Sequence, residues 1–397
     1  MTDPAGRVRI LVATGIVLLV AQAAVLLYLV AQSHGVFSEP SASSTDFLMI
    51  YATGRFADMG DPAAAYDLAR QQALQQSLFG APLDGYFPFY YPPVYILICA
   101  VLALPPYYAA FAIWLVASGG ALLFVLNRIA GTWPLTLALF SFPAVAINAG
   151  LGQNAFLTAA LIGLGTWLLD ERPWLAGIAF GALCYKPHFA LMAPIALIAG
   201  RRWRALLALA TTGAILVALS VAIFGVETWR AFIANMPTAR WIYLEGPIGF
   251  WSQISVFAAI RLIGGGSVAA AAGQAIAVVA AVAAMVWIWA RAQTAATRAS
   301  ALVAATLLSV PMGLSYDLMP AMIAAAWILG AESAPTVEEV AIIGAIWMVA
   351  LFGRGIAQWL GIPLFPLVPV GLMAIAARRL AAEHPASQHL IRSTISP

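Results

Sequence analysis

Apolar runs long enough to cross a bilayer, separated by short polar breaks, follow one another along almost the whole chain. The first extends from Ile10 to about Gln32, behind Arg7 and Arg9. It is too long for the apolar part of a typical signal peptide and lacks a convincing cleavage site, so it reads as a retained first helix. A polar stretch, 33–90, comes next and holds Asp46, Arg55, Asp58, Asp61, Asp67, Arg70 and Asp84. A loop of this length inside a membrane protein is expected to carry function. Within it, 46–59 and 63–78 are helix-compatible, the second as an amphipathic helix on the membrane surface, with Gly60-Asp61-Pro62 as the turn between them. Further apolar segments lie near 92–104, 107–126, 134–149, 154–170, 173–185, 188–199, 203–224, 251–263, 267–290, 299–313, 317–330, 337–353 and 361–377. Several are shorter than the roughly 20 residues that a hydrocarbon core requires. The pair 173–185 and 188–199 fits a hairpin of short or broken helices with Tyr185-Lys186-Pro187-His188 at its apex. The region 225–250 reads as a loop.

Composition turns this pattern into a class. The chain is 63% hydrophobic and 9% charged, with a mean hydropathy of +0.92, whereas a soluble domain is about one quarter charged. Spans in lipid must satisfy their own backbone groups, and these runs lack the period-two alternation of barrel strands. The expected fold is therefore all-α and polytopic, with about 10–13 transmembrane or re-entrant helices. It forms one membrane domain: a first helix at 10–32, an outer loop at 33–90, a bundle at 91–377 and a tail at 378–397.

The net charge of +3 implies no nucleic-acid partner, and Cys99 and Cys184, both in apolar stretches, suggest no disulfide framework. The placement of arginines is more informative. Arg7 and Arg9, Arg201-Arg202-Trp203-Arg204, Arg291 with Arg298, and Arg378-Arg379 all flank spans and should be cytoplasmic. The first long loop, the apex at Lys186, the 225–250 region and Tyr316-Asp317 then share the opposite, extracytoplasmic side. Counting every segment between 92 and 170 as a crossing puts Asp170-Glu171-Arg172 on the wrong face, so either one of these segments is re-entrant or the count is off by one.

Polar clusters punctuate the apolar chain at Ser44-Thr45-Asp46-Phe47, Tyr90-Tyr91-Pro92-Pro93, Gly150-Leu151-Gly152-Gln153-Asn154 and Tyr185-Lys186-Pro187-His188. Their order and spacing resemble glycosyltransferase family 87, membrane enzymes of the GT-C class. The likeness also takes in Tyr51 to Arg55, Gly60-Asp61-Pro62, Tyr66-Asp67, Arg201-Arg202-Trp203 and Ser255-Val256-Phe257. The resemblance implies a GT-C-like bundle, a polyprenyl-phosphate sugar donor, a lipid or glycan acceptor, and inverting transfer on the extracytoplasmic side. Polyprenyl-phosphate mannose and mannosyl transfer are the pairing it suggests first.

The chemistry can be argued separately. A hydroxyl attacking an anomeric carbon needs a carboxylate to take its proton, and charge on the leaving phosphate needs stabilising. Asp46 is the candidate base, since it matches the aspartate that the resemblance makes catalytic; the alternative is that it only caps the helix after it. Lys186, the only lysine, sits where a charge is expensive without an anionic partner. With His188 it is the candidate for the donor phosphate, against the alternatives of a snorkelling lysine and a structural histidine. Sugar- or acceptor-binding candidates are Arg55, Tyr91, Gln153, Asn154, Tyr185, Tyr316 and Asp317. Gln153 and Asn154 suit sugar hydroxyls or a helix cap, and Asp317 suits acceptor hydroxyls or an ion pair with Arg55 or Arg240. Tyr90, Trp241, Tyr243 and Trp251 could stack on sugar or belong to an interfacial belt.

No cofactor is implied, and without an Asp-x-Asp pair near Asp46 a bound metal is unnecessary to this chemistry. Gly150 to Ala155 followed by Asp170 has the spacing of a dinucleotide fingerprint but lacks the strand that motif requires. A carrier or flippase for an amphiphile is the competing class. It would more often show internal repeats with matched broken helices, and none is evident.

Overall fold

The structure, a computed structural model, describes residues 4–32, 45–79, 87–245 and 248–384. Ser44 and Asp84 of the outer loop, and the tail beyond His384, lie outside the described residues. The described chain is helical: α1 (Pro4–Gln32), α2 (Phe47–Asp58), α3 (Leu68–Phe79), α4 (Ile96–Leu102), α5 (Tyr107–Ala130), α6 (Trp133–Phe140), α7 (Pro143–Leu151), α8 (Ala155–Leu168), α9 (Pro173–Ala182), α10 (Pro187–Ala190), α11 (Met192–Ala199), α12 (Trp203–Leu244), α13 (Val256–Leu262), α14 (Ser267–Trp289), α15 (Ala295–Ser309), α16 (Pro320–Leu329), α17 (Val337–Leu360) and α18 (Leu367–Glu383). Among the described residues the only β pairing is a single bridge between Gln253 and Leu314. Five helices, α1, α5, α12, α14 and α17, contain stretches long and apolar enough to cross a membrane, and α6 with α7 forms a sixth candidate bent by 64°. The protein is thus a multi-pass helical membrane protein.

Two polar clusters mark opposite ends of the bundle. At one, Asp170 after α8 pairs with Arg202 before α12 (2.6 Å) and with Arg298 of α15 (2.5 Å), and Arg379 of α18 pairs with Glu339 of α17 (2.5 Å). At the other stand Asp46, Gln153, Lys186 and Asp317. The helices α8, α9, α10–α11 and α16 each run from one cluster to the other. The expected segment 92–104 does not. Tyr51 Oη donates to the Pro105 carbonyl (3.1 Å) and the Tyr107 hydroxyl meets that of Thr45 (3.1 Å), so α4 packs beside α2 at the Asp46 end. Asp170 stands among the arginines of the first cluster.

Small residues bring α9 against α12. A β-carbon at Gly177 would strike the Ala205 carbonyl, and one at Gly181 would stand 2.6 Å from the Leu209 carbonyl. This small-xxx-small spacing allows the close backbone approach that holds membrane helices together, and it seats the Lys186 turn that follows α9.

The expected 225–250 loop is corrected here. Helix α12 continues to Leu244 after a kink at Gly225 (φ 79°, ψ 162°), a conformation essentially restricted to glycine. Its polar residues Glu227, Arg230 and Arg240 are exposed, whereas Phe232, Met236, Ala239 and Tyr243 face the site. Strain at a kink of this kind is worth about 1–3 kcal/mol. Gly225→Ala is therefore expected to lower the thermal midpoint in detergent. Gly213→Ala, in regular helix with open space around the added carbon, should raise it slightly, since glycine costs a helix interior about 1 kcal/mol relative to alanine.

Helix α3 also differs from a simple surface helix. Gln71 donates to Thr53 Oγ1 (3.0 Å), and Gln75 both donates to the Phe87 carbonyl (2.8 Å) and accepts from its amide (2.9 Å). Both glutamines are buried, so α3 is pinned onto α2 and the approach to Tyr90-Tyr91.

Candidate active site

Asp46 immediately precedes α2 with αR backbone angles, and its side chain makes no capping hydrogen bond. Its Oδ2 instead accepts from Gln153 Nε2 at 2.8 Å, and Gln153 Oε1 accepts from the Tyr91 hydroxyl at 3.2 Å. Helix α8 does not use Gln153 or Asn154 as a side-chain cap either. Asn148 performs that task, with its Oδ1 accepting from the Ala155 amide (2.9 Å). The capping alternatives for these three residues therefore do not describe what their side chains do.

Lys186 occupies the turn between α9 and α10. Its Nζ donates to Asp317 Oδ1 (2.6 Å) and Asn154 Oδ1 (3.0 Å) and lies over the rings of Phe189 and Tyr316. The lysine and aspartate side chains are 3% and 6% exposed. A charge pair this deep needs further hydrogen bonds to offset desolvation. Asn154 supplies one, and the Leu314 amide supplies another to Asp317 Oδ2 (3.1 Å). The expected ion pair of Asp317 with Arg55 or Arg240 is thus corrected: its partner is Lys186. Lys186 does not snorkel to the surface.

Two adjoining cavities open between these groups. One, of about 160 Å³, is lined by Lys186, His188, Asp317, Tyr185, Phe232 and Met236, among others. The other, of about 460 Å³, is lined by Asp46, Phe87, Trp241, Ile242, Ile248 and Leu314, among others. Gln153, Tyr90, Tyr243, Tyr316, Met49 and Pro88 line both and form the boundary between them. The base candidate and the cation candidate therefore face adjoining chambers. Tyr185 also packs beneath, its hydroxyl paired with Thr158 (2.7 Å) and its ring stacked on Tyr95.

Some expected residues stand elsewhere. Arg55 pairs with Asp58, three residues on in α2 (3.2 Å), with its side chain 42% exposed, and it does not line these cavities. Trp251 lies under the Arg354 guanidinium (4.8 Å), also away from them. Phe232, Met236 and Ala239 of the α12 arm, absent from the sequence-based candidates, line the site with Tyr243. Their recurrence at 232, 236, 239 and 243 is a one-face helical spacing that a helix reading of this arm would have flagged.

Asp46 lies outside the candidate spans. Burial raises its pKa, the Gln153 hydrogen bond opposes that rise, and the charge of Asp317 adds to it. The Asp46 carboxyl therefore ionises at higher pH than an ordinary aspartate. Among the described residues no three His, Cys, Asp or Glu side chains converge as a metal site would require.

No curated protein and no solved structure matches the chain. The sequence model of glycosyltransferase family 87 matches residues 89–312, more than half of the chain. The match takes in the Tyr91, Gln153–Asn154 and Lys186 positions, whereas Asp46 and Asp317 flank it. This multi-pass membrane protein, whose Asp46 and Lys186 face adjoining chambers, belongs to glycosyltransferase family 87.

Proposed function

We propose that this glycosyltransferase moves a hexosyl group, mannosyl first among the candidates, from a polyprenyl phosphate to a hydroxyl of a lipid or glycan acceptor. The observation that carries the reading is the facing of a carboxylate and a buried ammonium across adjoining chambers. The acceptor hydroxyl enters on the Asp46 side and its oxygen attacks the anomeric carbon. The bond from that carbon to the phosphate oxygen breaks, the polyprenyl phosphate leaves with the electron pair, and the hydroxyl proton passes to Asp46. Lys186, whose ammonium has one N–H beyond those given to Asp317 and Asn154, meets the charge growing on the phosphate. His188 lines the same chamber. A phosphate leaves readily without an acid to protonate it.

A single displacement inverts the anomeric centre. Retention would call for a second, nucleophilic carboxylate, and Asp317 is poorly suited because one oxygen is held by Lys186 and the other by the Leu314 amide. The opposite face carries Arg202, Arg298 and Arg379, which by the positive-inside rule belongs in the cytoplasm and leaves the site extracytoplasmic.

The test compares donors in membranes containing the protein: radiolabelled polyprenyl-phosphate mannose against a radiolabelled nucleotide sugar, with the anomeric configuration of the product read by NMR. Transfer from the lipid-linked donor alone, with inverted configuration, is expected. Direct use of the nucleotide sugar, or retained configuration, would overturn the proposal.

A further inference from the structure

We infer that Gln153 and Tyr91 are positioning residues that orient the Asp46 carboxylate, rather than groups that grip the sugar. The inference rests on the reading of Asp46 as the base, and it changes the role assigned to two residues whose chemistry alone would suit sugar hydroxyls.

Gln153 is 5% exposed and both ends of its amide are engaged. Oε1 accepts from the Tyr91 hydroxyl (3.2 Å) and from the Asn154 amide (3.3 Å). Two donors at that end leave the NH₂ end to face Asp46, which is the only orientation an acceptor-only carboxylate tolerates. Tyr91 thus sets which way the amide points, and the amide holds Asp46 Oδ2. Among the described residues Oδ1 accepts no hydrogen bond, and Asp46 lines the larger chamber. One oxygen is tethered while the other is left to take a proton.

The backbone beneath Gln153 is fixed as well. Gly152 adopts φ +68° and stands so close to Phe47, the neighbour of Asp46, that an added β-carbon would come within 2.6 Å of the Phe47 Cβ. The Asn148 carbonyl accepts from the amides of Gly152 (2.8 Å) and Gln153 (3.2 Å), and Trp114 Nε1 donates to the Gly152 carbonyl (2.9 Å). The Gln153 turn and the Asp46 turn, 107 residues apart in sequence, are therefore locked against each other before any substrate arrives. Catalytic groups gain most from such preorganisation.

Other titratable groups also surround Asp46: Asp317 and Tyr316 on the turn before α16, Tyr243 on α12, Tyr107 at the start of α5, and Lys186 with His188 beyond the boundary. None of these is altered in the variants below, so their contribution to the pH profile stays constant.

The experiment measures kcat/KM against pH for the full-length protein in nanodiscs, with polyprenyl-phosphate mannose as donor and a membrane lipid extract supplying acceptors. Wild type is compared with Gln153→Leu and Tyr91→Phe. Losing the N–H bond removes a contact that favours the ionised carboxylate, so the acid limb should move to higher pH. For Gln153→Leu the shift should be about one to two pH units, the range for a hydrogen bond to a charged group. Tyr91→Phe should move the limb the same way by less, and raising the pH should restore much of the lost rate in both. Tyr91→Phe keeps its ring and packing, so it serves as the test if Gln153→Leu fails to fold. An unmoved acid limb with a raised donor or acceptor KM would overturn the inference in favour of sugar contact. That failure is distinct from failure of the base assignment, which would appear as undiminished transfer by Asp46→Asn.

Discussion

Replacing Asp46 with asparagine should reduce glycosyl transfer by about 10²–10⁴-fold, the usual contribution of a positioned general base. Asparagine keeps the size of the side chain and an oxygen able to accept the Gln153 N–H, so the 2.8 Å contact can persist. Because burial and the charge of Asp317 both disfavour the ionised carboxylate, removing it should leave the thermal midpoint unchanged or higher. Loss of rate without loss of stability separates a chemical role from a structural one. A base with a raised pKa also fixes the sign of the pH dependence. In the wild type, transfer rises with pH as Asp46 ionises, at higher pH than an ordinary aspartate would, and falls as acid protonates it. Asp46→Asn should abolish that acid limb. The checks are steady-state transfer across a pH series and thermal unfolding of matched preparations.

The second large effect is expected at Lys186. Replacing it with methionine strands the Asp317 carboxylate, 6% exposed, without its counter-charge, and breaking a buried pair in this way costs about 3–5 kcal/mol. The single variant should therefore unfold well below wild type and transfer no sugar. Its activity loss alone would be uninformative, which makes the double variant Lys186→Met/Asp317→Asn the discriminating one. It removes both charges and still offers an oxygen to the Leu314 amide, so most of the stability should return. Transfer should not, because the leaving phosphate has lost its cation. A double variant as stable and as active as wild type would show the pair to be structural only.

Much of the bundle was legible because its signal is local. Each long apolar run needs only its own composition to declare a helix, and the expected segments from 107 onward largely coincide with observed helices. One open question and one error have identifiable causes. The run at 92–104 is one of the segments too short to cross alone, and α4 packs beside α2; no local feature of its sequence reveals that contact. The region after Gly225 was read as a loop because Glu227, Arg230, Pro237 and Arg240 interrupt it, although these residues lie along a helix whose other face lines the site.

The candidate site was legible as residue types and not as a network. Asp46, Gln153, Lys186 and Asp317 stood out as polar residues beside apolar segments. Their pairing did not, because Asp46 meets Gln153 across 107 residues and Lys186 meets Asp317 across 131. Arg55 shows the converse: it drew attention for the same reason, yet a carboxylate three residues away accounts for it. Spacing along a chain identifies neighbours on one helix, whereas partners between helices depend on packing that only the fold supplies.

The most direct test follows the label itself. Purified protein is reconstituted in liposomes with radiolabelled polyprenyl-phosphate mannose and extracted acceptor lipids, and the products are separated after incubation with wild type or Asp46→Asn. Label covalently joined to acceptor with wild type, and its near absence with a folded Asp46→Asn, is the expected result. Label that stays on the polyprenyl phosphate while redistributing between leaflets, equally with both proteins, would contradict transfer and indicate a carrier.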